Sequence, residues 1–157
     1  MMNASQLSAF SRRLTEAYAG AMRPLSEETG LPQGAVDILM FLANNPGRDT
    51  AREVCACRGM KPGIVSLHVE NLARQGYVER QSVPGDRRKC RLVCTERAEP
   101  VIRRGRALQE RFARRLTEGI PPEELEACHR CFLTFEENLS ALVREAGHRE
   151  LIERKEE

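Results

Sequence analysis

Six cysteines and three histidines are the residues of this 157-residue chain best suited to hold a metal or attack a substrate, so their spacing is tested first. Cys128 and Cys131 stand three apart in a helical stretch, a spacing that could chelate a metal or form a redox pair. Cys128 also falls on an apolar stripe, where a thiol behaves as a small hydrophobe. On a helix, Cys55 and Cys57 would point about 200° apart, which keeps them from sharing one ion. Cys90 and Cys94 fall on one face of a strand, most simply as packing. His68, His129 and His148 show no H-E-x-x-H or similar spacing, and no Ser or Cys motif anchors a triad. No catalytic residue, metal site or cofactor is expected, and the chain reads as a non-enzyme. A thiol oxidoreductase is the alternative from another class; it needs a low-pKa cysteine at a helix N-terminus, and no C-x-x-C here opens a helix after a strand.

Charge is more informative. The net charge of +2 hides a local imbalance: from Arg74 to Arg91 six bases (Arg74, Arg80, Arg87, Arg88, Lys89, Arg91) face two acids (Glu79, Asp86). From Thr117 to Glu157 eleven acids face five bases. A short basic segment in a nearly neutral chain is the footprint of something that touches phosphate, because each neutralised phosphate releases counterions; a solvated charged face is the competing reading. The arginines between Arg97 and Arg115 recur at helical spacings around Leu108 and Phe112 and read as a helix exterior.

The elements that must position these residues are mostly helical. Hydrophobic residues at 41% suffice for a core, yet aromatics are only 4% and Trp is absent, so the core is aliphatic. Leu7, Phe10, Leu14, Ala17, Met22 and Leu25 mark a helix over about 5–28, which Pro24 should kink or end. Pro32 suits the first position of a second helix carrying Val36, Leu39 and Leu42 on one side. Thr50-Ala51-Arg52-Glu53 is a capping box that opens a third helix, running to about Arg58. Gly59 then allows a turn, and Pro62 starts a fourth helix that Gly76 stops. Two extended segments, 77–83 and 90–95, flank Pro84-Gly85-Asp86-Arg87-Arg88-Lys89 and read as a hairpin with a basic tip. A fifth helix from Glu99 to about Gly119 precedes a last one, in which Leu125, Cys128, Phe132, Phe135, Leu139, Leu142 and Ala146 alternate steps of three and four. That seam implies self-association. With Leu7, Phe10 and Leu14, the residues Phe132, Phe135, Leu139 and Leu142 form the expected dimer interface. No apolar run approaches the ~18 residues of a membrane span and the N-terminus lacks a signal-peptide core, so no membrane partner and a cytoplasmic location are expected.

Two short helices joined by a glycine turn, followed by a two-stranded ribbon with arginines at its tip, make a winged helix-turn-helix. Turning Val65, Val69 and Leu72 toward the core at about 100° per residue leaves Gly63, Ser66, Leu67, Glu70 and Arg74 outward. An outward helix of this kind can enter the ~12 Å major groove. There Gly63 permits close approach, Ser66 can bond a base or phosphate, and Leu67 can meet a thymine methyl. The expected DNA-contacting set is Lys61, Pro62, Gly63, Ser66, Leu67, Arg74, Asp86, Arg87, Arg88 and Lys89.

These residues resemble the MarR-type regulators. The resemblance is carried by Ile64-Val65-Ser66, by Asn71-Leu72-Ala73-Arg74-Gln75-Gly76-Tyr77-Val78-Glu79-Arg80, by Gly85-Asp86-Arg87-Arg88 and by Leu92-Val93-Cys94-Thr95. It covers about residues 31–98, and the flanking helices agree in number and order with that family's dimerisation region. The resemblance implies that Asp86 shapes the wing, Arg88 enters the minor groove and Ser66 contacts DNA from the recognition helix. The fold expected is mainly α with a small β-hairpin wing. Residues 1–30 form an N-terminal dimerisation helix, 31–98 the DNA-binding region, 99–146 the C-terminal dimerisation helices and 147–157 a charged, frayed tail. The function expected is a homodimeric transcriptional regulator, read as a repressor, on a pseudo-palindromic operator of double-stranded DNA. By the resemblance alone it answers to a small-molecule effector held near Tyr18, Met22, Met40 and Phe112. A thiol- or metal-responsive switch through Cys128 and Cys131 is the alternative among regulators.

Overall fold

The computed structural model describes the backbone of residues 3–83 and 86–156, and the side chains of these apart from residues 4, 83, 86–89 and 146–156. Six helices and one two-stranded antiparallel sheet follow in the order α1 (Ala4–Thr29), α2 (Gln33–Asn44), α3 (Ala51–Arg58), α4 (Pro62–Arg74), β1 (Val78–Val83), β2 (Asp86–Cys94), α5 (Glu99–Leu116) and α6 (Pro122–Glu156). A single 3-10 turn, Glu96–Ala98, leads into α5. The chain forms two compact units, residues 1–113 and 114–157.

In the first unit the core is built around α2. Its residues Ala35, Val36, Ile38, Leu39, Met40, Phe41 and Leu42 are all buried, so the helix is covered nearly all round rather than along the one side its spacing suggested. Met22 and Leu25 of α1, Val54 of α3, Val65, Val69 and Leu72 of α4, Val78 and Leu92 of the sheet and Ile102 and Leu108 of α5 close the same core. Gly105 lets α5 approach closely, since a Cβ there would stand 2.3 Å from Met40 Sδ.

Local chemistry explains most boundaries. Asn3 caps α1 through a reciprocal pair of hydrogen bonds with Gln6, and Gly30 ends it in the left-handed region at φ 68°. α1 runs through Pro24, as the expected span of about 5–28 requires, and Pro24 does not end it. The carbonyl it deprives of a donor belongs to Gly20, which is exposed and can be hydrated, while burial of Met22 and Leu25 holds the helix on either side. Pro32 is the N-cap of α2 rather than its first residue, with the Ala35 and Val36 amides donating to its carbonyl. The Thr50 capping box forms as expected: the Glu53 amide donates to Thr50 Oγ1 at 3.3 Å and the Thr50 amide to Glu53 Oε2 at 2.9 Å. At the end of α4 the Tyr77 amide donates to the Leu72 carbonyl and the Gly76 amide to that of Ala73, a Schellman closure with Gly76 at φ 75°.

The hairpin departs from its expected outline. Strand β2 begins at Asp86, not Cys90, so Asp86, Arg87, Arg88 and Lys89 have strand backbone rather than loop backbone. The register runs from Val78 opposite Cys94 to Ser82 opposite Cys90, then shifts so that Val83 lies opposite Asp86. The irregularity absorbs residues 87–89, which is how a basic segment too long for a tight turn stays in the ribbon. Leu92 is buried and Cys94 half-buried, while Cys90 is exposed and does not pack as expected.

Helix α5 ends at Leu116, short of Gly119. Helix α6 continues to Glu156, so the backbone expected to fray from Gly147 is helical. Ala146, the last member of the expected seam, lies outside the described side chains. Among the described residues no helix is long and apolar enough to cross a membrane.

Candidate nucleic-acid interface

Helix α4 sorts its residues as its periodicity requires. Val65, Val69 and Leu72 are buried at 2% exposure or less, while Lys61, Pro62, Gly63, Ser66, Leu67, Glu70 and Arg74 are exposed. The inward three lock the helix against α2 and α3, and on the outward side a Cβ on Gly63 would find no atom within 4 Å. Ile64 joins this face, 45% exposed beside Leu67 at 62%, and was absent from the expected contact set. The side chains of Asp86, Arg87, Arg88 and Lys89 lie outside the described residues; their backbone places them at the register shift of the ribbon.

What holds the ribbon was not visible from periodicity. Asp49, in the connection between α2 and α3, accepts from Arg91 Nε at 2.6 Å and from its terminal nitrogen at 2.5 Å. The Asp49 carbonyl also accepts from the Leu92 amide at 2.7 Å, so one residue grips β2 by side chain and backbone together. The hydrogen bond and charge of Asp49 raise the Arg91 pKa above its ordinary value. At the other end of the ribbon, Thr95 Oγ1 donates to the Gly76 carbonyl at 2.6 Å and Arg97 lies 5.5 Å over the Tyr77 ring. Arg91 entered the sequence reading only as one charge of the basic run. Its partner is 42 residues away, a separation that no local pattern reports. Asp49→Asn is therefore expected to weaken DNA binding several-fold while lowering the melting temperature only slightly, measured by anisotropy and thermal unfolding of the same preparation; equal effects on both would make Asp49 a general stability residue.

The remaining arginines behave as a helix exterior. Arg104 clamps α5 to α1 by bonds to both oxygens of Glu28, at 2.7 and 3.0 Å, which hold that carboxyl below its ordinary pKa. The pair's contribution is thus present above the usual carboxylate range and fades as pH falls through the lowered value. Arg106 donates to the Ala43 carbonyl and to Asn44.

Tyr18, Met22, Met40 and Phe112 all lie in the first unit. Tyr18 and Phe112 meet edge to face at 5.6 Å, and Gln109 Nε2 donates to the Tyr18 hydroxyl at 2.6 Å. Both rings are half-buried, whereas Met22 and Met40 are sealed in the core at 0% and 2% exposure.

All six thiols are free, and among the described residues no group of three or more His, Cys, Asp or Glu is placed to hold a metal ion. Burial and the nearby Glu99 carboxylate push the Cys94 thiol up, whereas Cys57 and Cys90 are exposed. Iodoacetamide at mildly alkaline pH should accordingly modify Cys57 and Cys90 well before Cys94, as read by peptide mass spectrometry. Early labelling of Cys94 would contradict this placement.

A glycine-turned helix pair with one outward helix, followed by an anchored ribbon, defines a winged helix-turn-helix. Comparison with known proteins then gives its similarities. Residues 29–89 match the model of the MarR family, so the winged helix-turn-helix is similar to that of MarR family members. The whole fold is similar to that of the transcriptional regulator PA3341, at 28% identity and a TM-score of 0.74 over 87% of this chain and 96% of that one. It is also similar to the MarR family transcription regulator SP03579, at 28% identity and a TM-score of 0.68 over 90% and 93%. CouR from Rhodococcus jostii RHA1, whose structure holds p-coumaroyl-CoA, shares the fold at 23% identity and a TM-score of 0.64 over 82% and 87%.

Proposed function

We propose that the protein is a homodimeric transcriptional regulator, acting as a repressor, that binds a pseudo-palindromic operator through residues 31–98 and dimerises through its flanking helices. The observation that carries this reading is the exposed face of α4, on a helix that packs beside a ribbon bearing Arg87, Arg88 and Lys89. Helix α4 lies in the major groove with Lys61 and Arg74 toward the phosphates, and Arg88 reaches the minor groove. Support for the dimer comes from the large apolar residues each unit leaves exposed. These are Leu7 and Phe10 at 50% on α1, and Phe132, Phe135, Leu139 and Leu142 at 58–60% on α6. Selection of bound duplexes from a random pool by the purified full chain tests the reading: a two-fold symmetric motif is expected, and recovery of no motif would overturn it.

An effector completes the proposal. CouR is bound to p-coumaroyl-CoA, and here the half-buried Tyr18 and Phe112 offer the accessible edge of such a site, whereas Met22 and Met40 would yield to a ligand only by core rearrangement.

A second reading is favoured by one observation, the exposure of both Cys128 and Cys131 in the single chain. A dithiol switch would lose DNA affinity on peroxide treatment and keep it in Cys131→Ser. The dimer reading, which covers Cys128 in the seam, expects affinity that does not respond to peroxide.

A further inference from the structure

Among the described residues of the winged region, Ile64 and Leu67 are the large apolar side chains that stand exposed, at 45% and 62%, and both lie on α4. They are three residues apart and so adjacent on the helix surface. Their neighbours outward are Ser66 and Glu70, both exposed, with Lys61 at the N-cap and Arg74 in the last turn. The two cations are about 20 Å apart along the axis. Between them the face offers no cation to phosphate, and Glu70 is repelled by it, so this stretch is unsuited to backbone contact. Two phosphate-seeking ends around an apolar, acid-bearing middle fit a groove floor whose edges carry methyl groups and amino donors. In the major groove the one apolar group on a base edge is the thymine C5-methyl.

Resting on the DNA-binding reading above, we propose that Ile64 and Leu67 form a thymine-methyl reader, which makes a thymine in each half-site a specificity determinant of the operator. Leu67 is the more outward of the two and makes the principal contact, with Ile64 closing the side of the methyl away from Ser66. Burying one methyl corresponds to about a four-fold gain in affinity, and two symmetric half-sites give about fifteen-fold.

The test leaves the protein unaltered. Duplexes recovered by selection with the full-length chain are resynthesised with deoxyuridine replacing each conserved thymine in turn, which removes the methyl and keeps the base pair. One symmetric pair of replacements is expected to weaken binding about fifteen-fold, and Leu67→Ala should bind the thymine and uracil duplexes equally. Because Leu67 is 62% exposed, circular dichroism should show that variant folded; if it is not, the deoxyuridine series on the parent protein decides alone. A selected motif whose affinity is indifferent to every thymine-to-uracil change overturns the methyl reader while leaving DNA binding intact. Failure to select any motif removes the DNA-binding reading itself. If deoxyuridine has no effect and Leu67→Ala instead shifts the sedimentation of the free protein, the pair serves a protein contact and the proposal is wrong.

Discussion

Combining Phe132→Glu with Leu139→Glu is expected to convert the proposed dimer to a folded monomer and to lower operator affinity by about 10²–10⁴-fold. Phe132 and Leu139 are 58% and 60% exposed in the single chain, and Phe132 meets Phe135, one turn along the same helix, edge to face. Neither side chain is needed for the fold of its own unit, so a carboxylate there is tolerated by one chain alone. Between two chains the same carboxylates would be desolvated beside their symmetry mates, where an unpaired buried charge is strongly unfavourable. The loss of DNA affinity follows without any change in α4, because a monomer holds one half-site and forfeits the effective concentration of the second. Sedimentation velocity with far-UV circular dichroism separates a dissociated dimer from an unfolded chain. A double variant that still sediments as a dimer would show that the α6 seam is not the interface.

Wing and recognition helix are expected to fail in different ways when cut back. Arg88 lies on the ribbon at its register shift, and in a narrow minor groove its contribution is electrostatic. Arg88→Ala should weaken binding to all duplexes by a similar factor and lower the salt slope by about one unit, the signature of one lost phosphate-side cation. Ser66 and Leu67 face base edges in the proposed complex, where lost contacts cost about 1–3 kcal/mol against the correct site and little against random DNA. Replacing both by Ala should narrow the gap between specific and non-specific affinity and leave the slope nearly unchanged. An Arg88→Ala protein with unaltered affinity and slope would make the basic ribbon a solvated one.

Much of this architecture is legible in the sequence because it is written in short-range rules. The Thr50–Glu53 capping box, Pro62 at the start of α4 and Gly76 at its end each depend on residues within one or two turns, and each stands where expected. The inward triple Val65, Val69 and Leu72 follows from helical periodicity alone. What escaped reading depends on the rest of the fold. The extent of β2 is set by a register shift, which composition does not encode. Asp49 looks like any loop acid until Arg91 and Leu92 are brought to it across the fold. Ile64 reads as core material by residue type, and only its angle on α4 leaves it exposed.

The central claim is that the outward face of α4 and the ribbon beside it recognise a specific duplex. It is tested most directly by titrating the unmodified protein with a selected duplex and a scrambled one of equal length at several salt concentrations. Parallel salt dependences are expected, because both duplexes meet the same cations, with the selected duplex bound about 10³-fold or more tightly throughout. Equal affinities for the two duplexes at every salt concentration would contradict it.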